Sequence, residues 1–355
     1  MSKLSEEDIY KALSLVKDPE LNRDLVSLNM VRDVQIDGGN VSLKVVLTTP
    51  ACPLRDRIEA DVKQAVMAVP GVEWVSVEMD AEVRGGGALR GPQPVEGVKN
   101  IIAVASNKGG VGKTTVAVNL AVALAKAGAR VGLLDADVTG PNVPPMMGIA
   151  SGFMAESEQG LVAVERFGVK ICSLGFVLPK NSAIVWRGPL IDKALRELLH
   201  QFPWGELDYL LIDLPPGTSD ASLSVAQSAP LAGVLIVTTP QEVSLEDAQK
   251  AVTMFQRLEV PVFGIVENMS YFVCPHCNER TDVFGHGGGA AAAEEMGLDF
   301  LGEIPLDVST RAAADEGVPI TESAPDSPAA LVFKGIAEKV AALCSVLRFS
   351  EGSGG

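Results

Sequence analysis

Two hydrophobic rhythms divide this chain. Near the amino end, apolar residues fall at Leu4, Ile9, Leu13 and Val16, which predicts a short helix closed by KDPEL. MVRDVQID and VSLKVVLT alternate apolar and polar positions about a Gly-Gly pair, which predicts a hairpin. A helical segment follows in ACPLRDRIEADVKQAVMAV, and then a strand in GVEWVSVEMD. The stretch AEVRGGGALRGPQPVEGVKN interrupts the pattern with glycine and proline and reads as a flexible link. Beyond Asn100 the rhythm changes. IIAVAS, VGLLDAD, YLLIDLP, GVLIVTTP and VFGIVEN are continuous apolar runs, and helical stretches at 113–127, 189–199 and 244–258 separate them. Apolar strands alternating with helices predict a mostly parallel sheet covered on both faces. The expected division is a small α+β domain over 1–81, a flexible linker over 82–99, an α/β domain over 100–348 that closes on a helix at 327–348, and a loose tail over 349–355.

Composition narrows the function classes. The chain has 355 residues, 47% of them hydrophobic, and a formal net charge of -16. That length suits about two domains. The acidic balance argues against nucleic acid or an anionic membrane as partner, yet leaves room for a nucleotide held by a local loop and helix end. MSKLSEEDIYKAL is followed by no apolar segment near the start, so no signal peptide is expected. No apolar run reaches about 18 residues, so no membrane span is expected. Five cysteines, an odd number, with a large potential core argue against a secreted disulfide scaffold. A cytoplasmic location is the expectation.

The chemistry begins at SNKGGVGKTT, residues 106–115. A standard phosphate loop carries a glycine where this chain has Asn107, whose side chain is expected to cap the loop. The remainder keeps the physics of such a loop. Gly109, Gly110 and Gly112 let the backbone approach a ligand closely, and successive amides around Val111, with the following helix end, suit phosphate oxygens. Lys113 is placed to reach the terminal phosphates, and the Thr114 hydroxyl to bind magnesium, with Thr115 completing the loop. KGGVGKTT resembles the deviant phosphate loop of dimeric ATPases that include nitrogenase iron proteins and division-site and chromosome-partition ATPases. That resemblance implies that Lys108 reaches a nucleotide across a two-fold interface, where a second cation offsets charge on the phosphoryl group in transit.

Acidic residues stand at strand ends, where ligands of such sheets gather. Asp213, in LLIDLPPGTSD, suits the magnesium shell. Asp135, in LLDADVTGPN, is a candidate to share the metal, or else a turn carboxylate. By resemblance to the same ATPases, Asp137 positions the attacking water, Gly217 senses the terminal phosphate and Asn268, in VENMS, binds the adenine base.

YFVCPHCNER sets Cys274 and Cys277 at a spacing that lets two thiolates face one metal or cluster. Alone, the pair fits a redox dithiol, half a zinc site or half an iron-sulfur site. The chain has no second CxxC, so four thiolates around one cluster require an isologous dimer. His276 and His286 read as loop residues, Cys172 and Cys344 as small core residues. Cys52, in a turn before a helix, is a candidate either for packing or for a thiol role.

Together KGGVGKTT, DADVTGPNVPPMMG, WRGPL, DLPPGTSD, ENMSYFVCPHC and FGHGGG resemble the Mrp/ApbC iron-sulfur cluster carrier family. VKDPEL, LNMVRDV and LTTPACPL resemble the MIP18-like domain fused to that ATPase. The resemblance implies a P-loop NTPase that binds and slowly hydrolyses ATP with Mg2+. It also implies a labile [4Fe-4S] cluster on Cys274 and Cys277 at a homodimer interface, passed to apo iron-sulfur proteins, with a cluster-assembly scaffold as a further partner. Three other readings explain less. A positioning ATPase leaves the cysteine pair idle, a zinc-bridged scaffold leaves the nucleotide residues idle, and a nitrogenase-like electron donor would draw its cysteines from separated positions.

Overall fold

The apolar runs beyond Asn100 form one eight-stranded sheet. Across it lie Val164–Arg166, Val169–Ser173, Val131–Asp135, Leu207–Asp213, Val98–Ala105, Leu231–Thr238, Val262–Glu267 and Phe300–Glu303. The first pair is antiparallel and every other pair is parallel. The computed structural model describes residues 4–351 except 84, 86–91, 138–139, 150–154, 158–159, 174–175, 177–187 and 218–219. Trp186 and Arg187 of WRGPL, the Val138–Thr139 step, the Thr218–Ser219 step and residues 84 and 86–91 of the glycine-rich link therefore lie outside the described residues.

Burial explains the sheet. Every residue of Leu207–Asp213 is buried, as is nearly all of Leu231–Thr238. Such strands need cover on both faces, and the helices between them supply it. Helix Lys113–Lys126 buries Val116 to Leu124 without a break, so it packs on more than one side. Helices Gly188–His200, Glu242–Arg257 and Pro328–Glu351 match the expected stretches within two or three residues. Val169–Ser173 carries the apolar pattern before Cys172, whereas Val164–Arg166 and Phe300–Glu303 have no counterpart among the expected runs. They are three and four residues long and sit at the ends of the sheet, where a long apolar run is not required.

The chain divides into two compact units, residues 1–84 with 341–355 and residues 85–340. In the first, helix Glu6–Leu13 starts at a Ser5 capping box and buries Ile9 and Leu13. Val31–Asp37 pairs antiparallel with Asn40–Leu47, the expected hairpin, with Gly38 at φ 62° in the turn. Asn40–Leu47 then pairs parallel with Trp74–Ala81, and helix Arg55–Met67 makes the crossover. Ile58, Val62 and Val66 face Val41, Leu43 and Val45 in one core. Three boundaries differ from expectation. Val98 and Lys99, assigned to the linker, open the central strand of the sheet. The closing helix continues to Glu351, into the stretch expected to be loose, because Phe349 packs on the first unit's core. Residues from 341 onward accordingly belong with the amino-terminal unit.

Candidate nucleotide site and cysteine turn

The phosphate loop joins Val98–Ala105, in the middle of the sheet, to helix Lys113–Lys126. Gly110 and Gly112 take φ of 82° and 80°, a left-handed geometry that glycine adopts without steric cost. A Cβ on Gly112 would collide with the Asn268 amide. Asn268 is buried and donates from Nδ2 to the Val111 carbonyl at 2.8 Å. The residue expected at the adenine thus lines the pocket and also grips the loop.

Sheet register brings the acidic residues together. Asp213 stands beside Asp135 on one side and Val104 on the other, all at carboxyl strand ends. Asp213 is wholly buried, pairs with the Lys113 ammonium and accepts from Thr114 Oγ1 at 2.7 Å. Burial pushes its carboxyl upward against the pull of Lys113 and Thr114. Burial, then the Asp213 charge, pushes Asp135 up to about 7. Asp135 accepts from the amides of Asp137 and Val143, each at 3.2 Å, and from Ser173 Oγ at 3.0 Å. Two buried carboxylates beside one ammonium, with a hydroxyl at hand, form an oxygen-rich set short of positive charge. That set suits a hard divalent cation such as Mg2+.

A cavity of about 700 Å³ opens over the loop. Lys108, Lys113, Thr114, Thr115 and Asp137 line it, with Asn268 further along. Asp137 accepts from the Gly140 amide at 3.3 Å, and Gly217, at φ 87°, donates from its amide to the Ser106 carbonyl at 2.8 Å. Lys108 is exposed. Asn107, expected to cap the loop, instead reaches outward and donates to Asp247 Oδ1 at 3.3 Å on helix Glu242–Arg257. The far wall, Pro305 to Arg311, had no sequence signal of its own.

The cysteine turn lies between the paired strands Phe272–Val273 and Arg280–Thr281. The Cys274 amide donates to the Glu279 carbonyl at 3.0 Å, and the Asn278 amide to the Cys274 carbonyl at 2.8 Å. The amides of His276 and Cys277 point at the Cys274 thiol and hold its pKa below the ordinary value, favouring thiolate. Cys277 is exposed and Cys274 half-buried. Among the described residues no three His, Cys, Asp or Glu side chains gather as a metal site. His276 is exposed, and His286 meets Arg280 at 2.9 Å. Cys172 and Cys344 are buried, which pushes both thiols upward. Cys52 is half-buried against the core of the first unit.

Residues 97–341 match the family described as NUBPL iron-transfer P-loop NTPase. The chain belongs to that family. Residues 6–79 match the family described as iron-sulfur cluster assembly protein, so both halves carry the theme. An iron-sulfur cluster carrier protein of Synechocystis sp. is 49% identical over 97% of this chain and 99% of its own length. One of Deinococcus radiodurans is 48% identical over 97% of each. Among solved structures, a nucleotide-binding protein of Archaeoglobus fulgidus in complex with ADP is 46% identical, covers 62% of this chain and 88% of its own, and superposes with a TM-score of 0.56. The septum site-determining protein MinD of Pyrococcus horikoshii, complexed with Mg-ADP, is 25% identical, with a TM-score of 0.51 over 68% of this chain and 95% of its own. The carrier family thus shares its ATPase fold with positioning ATPases. Among the described residues no helix of this member is long and apolar enough to cross a membrane.

Proposed function

We propose that this protein binds and hydrolyses ATP and carries an iron-sulfur cluster to apoproteins. The observation that carries the reading is a CxxC turn, with Cys277 exposed, in the same unit as the phosphate-loop cavity. The Val111 to Thr115 amides and Lys113 hold the phosphates, and Asp137 orients the attacking water. Thr114 and Asp213 would hold Mg2+, with Asp135 beside them sharing the metal site. Bound there, the ion would offset the negative charge of the phosphates. Asn268 steadies the loop at the adenine end of the pocket, and Lys108 acts on the nucleotide of a second copy.

Two thiolates are half of what a fully cysteine-ligated [4Fe-4S] cluster needs. A two-fold dimer supplies Cys274 and Cys277 twice, so the labile cluster sits at the homodimer interface and is handed from there to apo iron-sulfur proteins. A cluster-assembly scaffold would load it. An odd number of cysteines, five, with a large hydrophobic core suits the cytoplasm.

Anaerobic reconstitution followed by iron, sulfide and zinc analysis tests this. We expect about one four-iron cluster per two chains, lost in Cys274→Ala and in Cys277→Ala while nucleotide binding persists. Zinc alone, or a full cluster in both variants, would reject the assignment.

A further inference from the structure

Arg280 has no part in binding nucleotide or cluster as described so far, yet it is tied to both neighbourhoods. It stands opposite Val273 in the ladder that closes the cysteine turn. Its guanidinium lies 4.0 Å from the centre of the Tyr271 ring. Nε donates to Asp282 Oδ1 at 3.1 Å, and Nη2 donates to His286 Nδ1 at 2.9 Å. Nη2 also lies 3.6 Å from Glu303 Oε2, at the end of strand Phe300–Glu303. One exposed ion pair contributes little. A planar guanidinium that stacks on a ring and meets three further groups fixes their relative placement in a way a lysine does not.

The Tyr271 end of this cluster is braced by hydrogen bonds. Tyr271 closes a short segment that begins at Glu267. Glu267 is buried, and its carboxylate accepts from Ser270 Oγ and the Gly289 amide. The Ile304 amide donates to the Glu267 carbonyl, the Ser270 amide to Ile304, and the Leu306 amide to Tyr271, at 2.8, 2.9 and 2.7 Å. Within the same five residues Asn268 holds the phosphate loop through the Val111 carbonyl. One braced segment therefore touches the loop at its second residue and supports Arg280 at its last.

We infer that Arg280 is a positioning residue that makes the hold on Cys274 and Cys277 respond to nucleotide on the phosphate loop. A nucleotide that shifts the loop shifts Asn268, and the braced segment moves with it. The Tyr271–Arg280 stack transmits that movement to the strand carrying the cysteine turn. A contiguous chain of contacts makes such coupling feasible, and only a measured coupling establishes it. The identity of the cysteine cargo rests on the carrier reading, but the response of the thiols to nucleotide does not.

The test uses the full chain without cluster. Alkylation rates of Cys274 and Cys277 by iodoacetamide are followed by peptide mass spectrometry, with and without a non-hydrolysable ATP analogue and Mg2+. In the unaltered protein we expect the analogue to change the rate about fivefold or more, the low end of typical coupling between sites. Arg280→Gln should bring that ratio to about one while the analogue binds with unchanged affinity. Tyr271→Ala, which removes the stack, should do the same, and Tyr271→Phe, which keeps the ring, should retain the original ratio. Should Arg280→Gln fail to fold, the Tyr271 pair decides. A ratio near one in the unaltered protein, or an undiminished ratio in Arg280→Gln or Tyr271→Ala, overturns the inference. Reconstitution run in parallel separates the two ideas: absence of a cluster rejects the carrier reading, while the thiol ratio still decides the role of Arg280.

Discussion

At the scale of single residues, environment separates groups of the same type. The chain has five cysteines, and none of them is in a disulfide. Cys274 has its thiolate favoured by the amides of His276 and Cys277, whereas burial disfavours the thiolates of Cys172 and Cys344. A lowered thiol pKa raises the thiolate fraction at neutral pH, and the thiolate is the nucleophile. Native protein at pH 7 should therefore be alkylated at Cys274 well before Cys172 or Cys344. The Cys274 rate should rise with pH through a midpoint below the ordinary thiol value. Peptide mapping at several pH values checks both points. The aspartates divide in the same way. Asp135 has its carboxyl raised to about 7 by burial and by Asp213. The folded protein then binds the extra proton more readily than the unfolded chain. Asp135 thus favours folding at acid pH, and that contribution is lost as pH rises from about 4 through 7.

At the scale of elements, the loop and its neighbours form one fitted part. Gly112 needs its left-handed φ, and its missing Cβ leaves room for the Asn268 amide. Gly112→Ala would incur roughly 1–2 kcal/mol of backbone strain and displace a hydrogen bond of about 1 kcal/mol. Nucleotide affinity should fall at least about tenfold, as read by titration calorimetry, with the rest of the fold intact. The apolar runs and the glycine spacing made this strand, loop and helix legible in advance. Asn107 shows the limit of that legibility. Its expected partner was the loop itself, but helix Glu242–Arg257 presents Asp247 to it, and chain distance gave no sign of that meeting.

At the scale of the whole molecule, the two loop lysines differ in what their removal leaves behind. Lys113 is buried against Asp213, so Lys113→Ala strands a buried carboxylate and should cost about 3–5 kcal/mol of stability along with phosphate binding. Lys108 is exposed, so Lys108→Ala should leave stability nearly unchanged. If Lys108 serves a second copy, its loss should lower turnover at least about tenfold with little change in single-chain nucleotide affinity. Denaturation curves, nucleotide titration and phosphate release distinguish the two variants, and unchanged turnover in Lys108→Ala would remove it from the mechanism.

The sequence by itself determined the local features. Continuous apolar runs set the five long strands, since a strand covered on both faces leaves no polar positions. KGGVGKTT set the loop, because glycine spacing dictates where backbone amides can reach a phosphate. CxxC spacing set the thiol pair. Tertiary structure decided what depends on register and on distant partners. Asp135 and Asp213 are far apart in sequence and became neighbours because parallel strands pair Leu134 with Ile212 and place the next residues side by side. Ser173 joined them through the same register. Val164–Arg166 and Phe300–Glu303 are not legible in the sequence because short end strands carry too few residues to show a period. Arg280 in NERTD carries no sequence signal of its own. Packing placed it on Tyr271 and beside Glu303, a meeting that local spacing does not encode.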